Sequence, residues 1–327
     1  MTFDHRREGS VALAIGVLAA ILAAASPSYF SSENLIDVLL ANLPVAVVAL
    51  GASVVMIAGE IDISVGSVFA IAAVAAGLVA KSQLPGGVWT ATLAACAVGS
   101  LAGVCSGALV AHWKVPSIVV TLAMMIALRD ALRWATGGAW VQNLPEGFQW
   151  FGVPQERYPL IAVGVLVLLG ASAAWGLRYL AAGRMVYATG SNSSAARLSG
   201  IDVAAVKLGV FTLAGALTGV AAALNAVRFN QVPSNGGLGL EMKVIAAVVV
   251  GGVSTTGGRG TIGGVLLGVV LLGAIGPALT FLGASAYWER AIQGAIILAA
   301  VAVDATRGRA EARKAISPPS IRAEAHA

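Results

Sequence analysis

Charge is what this sequence has least of. Only 11% of its 327 residues are Asp, Glu, Lys or Arg, while 58% are hydrophobic. A water-facing globular surface draws on roughly 25% charged residues, so a soluble domain is excluded. Histidine is nearly absent: His5, His112 and His326 are scattered, and no Cys/His cluster has the spacing of a zinc site. His112, beside Trp113 and Lys114, reads as a snorkelling group at a membrane interface and not as a catalytic base. The two cysteines, Cys96 and Cys105, share one apolar run. On a helix they stand about 13.5 Å apart in rise, too far for a disulfide, and both read as buried small hydrophobes. No Gly-Lys pair precedes Ser or Thr, so the phosphate loop is missing, and H-E-x-x-H and G-x-S-x-G are missing with it. Enzymatic chemistry has no residues to carry it.

What is present is apolar chain. Runs near the length of a membrane helix recur at about 10–27, 35–58, 65–80, 88–112, 116–136, 158–181, 206–228, 238–254, 261–283 and 287–304. The third and eighth are short for a full crossing and read as partial or re-entrant. The fold class is an all-α polytopic membrane protein with about ten transmembrane or partly spanning helices. Its 40 glycines suit helices packed backbone to backbone, because lipid supplies no hydrophobic drive and small residues permit close approach. Arg6 and Arg7, the run Val11–Ala25 and the following Ser26-Pro27 resemble a secretory signal; since more spans follow, a retained first helix is the reading adopted.

With the N-terminus inside, thirteen basic residues fall on the cytoplasmic pieces, among them Arg6, Lys114, Arg197, Lys207 and Arg259, and four fall outside: Lys81, Arg157, Arg228 and Arg290. The positive-inside rule therefore places both termini in the cytoplasm. It also makes the net charge of +5 a topology signal, with no nucleic-acid partner implied. Residues 1–9 form a cytoplasmic N-terminus, 10–305 a transmembrane domain, and the polar tail 306–327, which contains Pro318 and Pro319, a disordered end. The outer piece 137–157 is rich in Gly, Pro and aromatics and reads either as a folded cap or as an ordinary connection. The segments 59–77 and 251–273 look faintly alike, which repeated halves or independent glycine breaks explain equally well.

Few polar groups interrupt the apolar runs. Glu60, Asp62 and Ser64 alternate with Ile61 and Ile63, a pattern of broken or extended chain with one polar side. Carboxylates at membrane depth are costly and mark pathways or gates, yet Asp62 or Ser64 also serves as an N-cap for the helix beginning near Val65; both readings stand. Arg129 and Arg133 share a face with Asp130 offset, and read chiefly as snorkelling groups near the headgroups. Asn225, Arg228, Asn230 and Gln231 gather at the outer end of the seventh run, where amides and guanidinium offer what a hydroxylated ligand needs, or simply form a loop. Glu241 and Lys243 open the eighth run, with pairing or dipole complementation as the plain reading.

The longest polar interval between the long apolar runs is Gly183–Lys207. Within it, Gly190-Ser-Asn-Ser-Ser-Ala-Ala-Arg-Leu-Ser-Gly-Ile201 resembles the cytoplasmic G-x-N-x-x-A-A-x-x-S-G-I segment of ribose-type ABC sugar permeases. Gly59–Gly66 is similar to their G-G-I-D-L-S-V-G segment, Pro116–Leu122 to P-x-F-I-V-T-L, and Ala246–Gly260 to A-A-V-V-L-G-G-x-S-x-x-G-G-R-G. The likeness runs in order from about residue 10 to 305. It departs at Glu60, where the family usually has Gly, and at Thr255-Thr256, where a bulky apolar residue is common. The stretch 128–152 looks most like rhamnose-type permeases.

The resemblance implies a multi-pass permease subunit in a bacterial inner membrane, forming with a second permease, identical or paralogous, the pathway for a monosaccharide, L-rhamnose being the sugar leaned towards. A periplasmic binding protein delivers the sugar, and a separate ABC ATPase binds ATP and magnesium, so this chain binds no cofactor and is no enzyme. It implies that 183–207 is a coupling loop, with Asn192, Ala195, Ala196, Arg197, Leu198, Ser199, Gly200 and Ile201 meeting the ATPase. Asn192 or Ser191 is suited to cap its short helix, Gly200 to end it and Asp202 to cap the next span. Leu198 is suited to insert, and Arg197 to meet an acidic partner. Glu60, Asp62, Ser64, Asn225, Arg228 and Asn230 are the candidates for pathway or gate. Two other classes stay in view: a branched-chain amino-acid ABC permease, and an ion-coupled secondary transporter using Asp62.

Overall fold

The computed structural model describes residues 5–82, 84–285, 287–299 and 302. Each apolar run is one helix: α1 (His5–Ala25), α2 (Ser32–Ile57), α3 (Val65–Lys81), α4 (Val88–Ala111), α5 (Ser117–Thr136), α6 (Tyr158–Tyr179), α9 (Val203–Ala226), α10 (Leu240–Val250), α11 (Ile262–Phe281) and α12 (288–299). The polar interval supplies α7 (Ala181–Ser191) and α8 (Ser193–Leu198). Among the described residues there is no strand, only one isolated bridge between Val141 and Val232. The tail 306–327, expected to be disordered, lies outside the described residues.

Helix α2 is the axis of the bundle. It is buried on every side from Leu43 to Ile57, and α6, α9, α10 and α11 pack around it. Its neighbours approach closely because they meet through small residues. On α4, Gly99, Gly103 and Gly107 repeat every fourth residue, and on α9 so do Gly215 and Gly219. A Cβ on Gly99 would strike the Gly215 carbonyl, and one on Gly215 the Gly99 carbonyl. The same reciprocal fit joins Gly251 to Gly264, with Gly268 against Ala247, where α10 meets α11. This is small-residue packing with side chains removed from the seam. It also corrects the reading of the cysteines: α4 presents its glycine face to α9, so Cys105 falls on the opposite face and is exposed, while Cys96 is half-buried.

Two prolines stand inside helices, and each freed carbonyl has a partner. Pro44 cannot donate to the carbonyl four residues back, Leu40, and Arg228 Nη1 donates to that oxygen at 2.7 Å. Pro277 frees the Gly273 carbonyl in the same way, and Asn42 Nδ2 reaches it at 3.2 Å. Backbone groups released at membrane depth have no water to turn to, so side chains from other helices take them.

The short helices α3 and α10 follow stretches of non-helical chain. Before α10, Val232 lies against Gly77 and the Gly237 carbonyl against Gly66, so residues 232–237 run down the side of α3. The descent ends in turns: Gly236 N–H donates to the Pro233 carbonyl and Leu240 N–H to the Gly237 carbonyl, both at 3.2 Å. Val232 and Val141 exchange hydrogen bonds at 2.9 and 3.0 Å, and Ser234 Oγ donates to the Gly138 carbonyl at 2.9 Å. The outer piece 137–157 is a folded cap: Trp150 N–H donates to the Val227 carbonyl at 2.8 Å, Phe151 stacks on Trp89, and the Tyr158 hydroxyl donates to the Leu224 carbonyl.

Candidate coupling and gating site

Local chemistry builds α8. The Asn192 side chain accepts from the backbone N–H groups of Ser194 and Ala195, both at 3.0 Å, closing the N-terminus. Gly200 enters the left-handed region at φ +82, and Ile201 N–H returns to the Ala196 carbonyl at 3.0 Å, closing the C-terminus. Asp202 then caps α9 through Ala204 and Ala205, again at 3.0 Å. Ala196 is the buried foot of the helix. Arg197, Ser199 and Ala195 are exposed, and Leu198 projects with 91% of its surface open. A large aliphatic side chain that exposed on a polar, doubly capped turn has no reason in the subunit's own packing.

Beneath α8 three chains cross without side chains between them. Gly190, in the last turn of α7, sits so near the Ile57 carbonyl that a Cβ would overlap it. That carbonyl accepts from Gly258 N–H at 2.8 Å. Gly59, Gly257 and Gly258 all have positive φ, at +85, +85 and +74. A Cβ on Gly257 would fall 2.7 Å from Gly59 Cα. The end of α2, the end of α7 and the 254–260 turn are thus interlocked two residues from the Asn192 cap. Tyr187 adds a strap, its hydroxyl donating to the Gly260 carbonyl at 2.7 Å. Burial raises its phenol pKa above the ordinary value, which keeps it a donor.

The knot leads straight into the 59–64 break. There Ile61 N–H donates to Ser117 Oγ at 3.2 Å, and Thr121 Oγ1 donates to the Ile61 carbonyl at 3.3 Å, so α5 satisfies the non-helical backbone. Asp62 is buried, and its Oδ1 accepts from Ser64 N–H at 2.8 Å and Ser64 Oγ at 2.6 Å. Glu60 pairs with Lys207 of α9. Glu60, Lys207, Arg197 and Lys114 line one inner cavity of about 170 Å³. The structure therefore brings Glu60 beside Arg197, two residues singled out for different reasons.

The outer candidates lie elsewhere. Lys207 and Asn225 are separated by about 27 Å of α9 rise. Asn225 is half-buried in the last turn of α9, Asn230 is exposed, and Arg228 is committed to Leu40 with its guanidinium 5.4 Å from the Phe229 ring. Arg129, read chiefly as snorkelling, has Nη1 and Nη2 buried with no hydrogen-bond partner among the described residues. Glu241 packs against Gly66, while Lys243 pairs with Glu289 at 3.0 Å. Sequence reasoning counted Lys207 only as a topology charge and quoted the glycines of the knot only as motif positions. That the glycines at 257–260 face Gly59 is legible only in the fold, since a linear reading treats the two as unrelated turns.

The family model described as the permease component of the branched-chain amino acid transport system matches residues 34–301. The ribose import permease protein RbsC of Escherichia coli strain K12 is 35% identical over 296 residues, which cover 89% of this chain and 92% of that one. The autoinducer 2 import system permease protein LsrC of Enterobacter sp. strain 638 is 37% identical over 308 residues, 93% of this chain and 88% of the relative. LsrC of Yersinia pseudotuberculosis is 35% identical over 302 residues, 92% and 85% of the two chains. No solved structure matches. A likeness that runs from the second helix to the last, through the capped turn and the glycine crossing alike, leaves one conclusion: the chain belongs to the family of branched-chain amino acid transport system permease components, as a permease of the ribose-type ABC importers.

Proposed function

We propose that this chain forms the translocation pathway of an ATP-driven importer for a small neutral sugar, paired with a second permease, identical or paralogous. A periplasmic binding protein delivers the sugar, and ATP and magnesium are handled by a separate ATPase docked against α8. The observation that carries this reading is Leu198, 91% exposed on the tip of a helix that is capped at both ends and rests on the glycine crossing. An ATPase cleft covering Leu198 and pairing with Arg197 buries the one and neutralises the other. Force applied there passes through Gly190 to the end of α2 and to the 59–64 break, which stands as the inner gate, with Glu60 and Asp62 as its polar groups. The relatives named for ribose and autoinducer 2 support a hydroxylated solute. D-ribose and L-rhamnose are the sugars to try first, with L-leucine as the amino-acid control.

The test is uptake by proteoliposomes holding the permease, its ATPase and its binding protein. Leu198→Asp and Arg197→Glu are expected to insert and assemble normally yet lose sugar uptake at least about tenfold, as expected when a leucine leaves an interface core. Unchanged uptake in both variants would remove α8 from the coupling path. Uptake that survives without the ATPase and collapses with the ion gradient would replace the whole reading with a secondary transporter.

A further inference from the structure

A second cavity, of about 350 Å³, opens between α2, α10, α11 and α12. It lies in the outer half of the bundle: Asn42 is about 15 Å of rise down α2, and Glu289 stands in the first turn of α12. Its volume is in the range of small-molecule sites, which begin at roughly 300 Å³. Five polar side chains converge on it. Glu289 Oε1 accepts from Lys243 Nζ at 3.0 Å and from Gln293 Nε2 at 3.0 Å. Asn42 spends its Nδ2 on the Val38 and Gly273 carbonyls, and Thr280 Oγ1 donates to the Gly276 carbonyl at 3.2 Å.

These bonds leave a definite remainder. Lys243 keeps two donors, while Glu289 Oε2, Asn42 Oδ1, Gln293 Oε1 and Thr280 Oγ1 keep acceptor capacity. A hydroxyl both donates and accepts, so a ring of hydroxyls matches such a mixed wall. The one cation and one anion neutralise each other, so the cavity has no unpaired charge to offer an ion or a zwitterion. α11 is carved to make the room: a Cβ on Gly276 would come 2.6 Å from Glu289 Oε2, and one on Gly273 would collide with the Asn42 amide. The Lys243 side chain is also 48% exposed. An ammonium so open at membrane depth is costly against lipid, so this face looks onto water or protein.

We propose that this cavity is a binding station for a neutral polyhydroxylated solute on its way across the membrane, with Lys243, Glu289, Gln293, Asn42 and Thr280 as its contacts. The proposal rests on the importer reading above and adds to it where the sugar pauses. Such a station is weak by necessity, since a solute must leave as readily as it enters.

The test uses the full permease with its ATPase and binding protein, in a Cys96→Ser/Cys105→Ser background. Thr280→Cys is expected to react with a small cationic thiosulfonate, and D-ribose or L-rhamnose at high concentration to slow that reaction, while L-leucine does not. Gln293→Met, close in shape but without the amide, is expected to lower sugar uptake about tenfold, the scale of one lost buried hydrogen bond, while membrane abundance and ATP hydrolysis stay normal. A thiol that cannot be labelled, or is labelled with no protection by either sugar, overturns the station. Protection without uptake of either sugar by the unmutated protein keeps the station and overturns the importer reading instead.

Discussion

Glu60 and Lys207 show how one ion pair can tie a broken segment to a helix. Their side chains are 11% and 23% exposed, so water screens the pair only in part. The pair ties the 59–64 break to the first turns of α9, which α8 reaches through Asp202. Glu60→Gln strands an ammonium in a half-dry cavity already shared with Arg197 and Lys114. It is expected to cost about 1–3 kcal/mol, seen as a lower thermal midpoint of the purified permease. Glu60→Lys combined with Lys207→Glu is expected to recover most of that loss; if the exchanged pair melts as low as the single variant, the two residues are not working as a pair. Asp62 is tied more locally. Its bonds go to Ser64 N–H and Oγ just before α3, so the expected side-chain cap is not made: Ser64 holds the cap position, but its hydroxyl is spent on Asp62 and no side chain takes a first-turn N–H of α3. The partner of Glu60 was not legible either, because nothing in the local sequence points from residue 60 to residue 207.

At the scale of an element, the helices with internal prolines set the terms. Pro44 and Pro277 were visible in the sequence, and so was the fact that each frees a carbonyl. Which side chain catches it depends on how the helices cross, and the sequence is silent on that. Arg228, singled out as a ligand group at the outer end, holds the Leu40 carbonyl through Nη1. A double-mutant cycle separates the two ideas. Arg228→Met alone is expected to cost about 2 kcal/mol, as for a hydrogen bond to a charged donor. In a Pro44→Ala background, where residue 44 again donates to Leu40, the cost should shrink by about 1 kcal/mol. Equal costs in both backgrounds would mean that Arg228 is there for another reason. The helix caps were the most legible elements: Asn192, Gly200 and Asp202 each stand at the position their chemistry prefers, and the structure uses all three.

Over the whole molecule, the apolar runs fixed the number and order of the long helices because lipid imposes a single length scale on them. The same scale hid the non-helical descent at 232–237, since a stretch of loop polarity looks external even when it lies beside α3. Orientation is open to a direct check. In a Cys96→Ser/Cys105→Ser background, a membrane-impermeant maleimide is expected to label Leu198→Cys only in inside-out vesicles and Lys81→Cys only in right-side-out cells. Exchanged labelling would invert the assigned topology, and labelling of both from one side would break it. The glycine seam between α4 and α9 has a consequence for how such a molecule can move. Backbone against backbone leaves no side chains to re-rotamerise, so the two helices cannot slide past each other by small steps and behave as one rigid body. Under the proposed coupling, displacement delivered at α8 would have only the broken segments left to go to, and a rigid core would be the fulcrum that gives a six-residue helix its leverage.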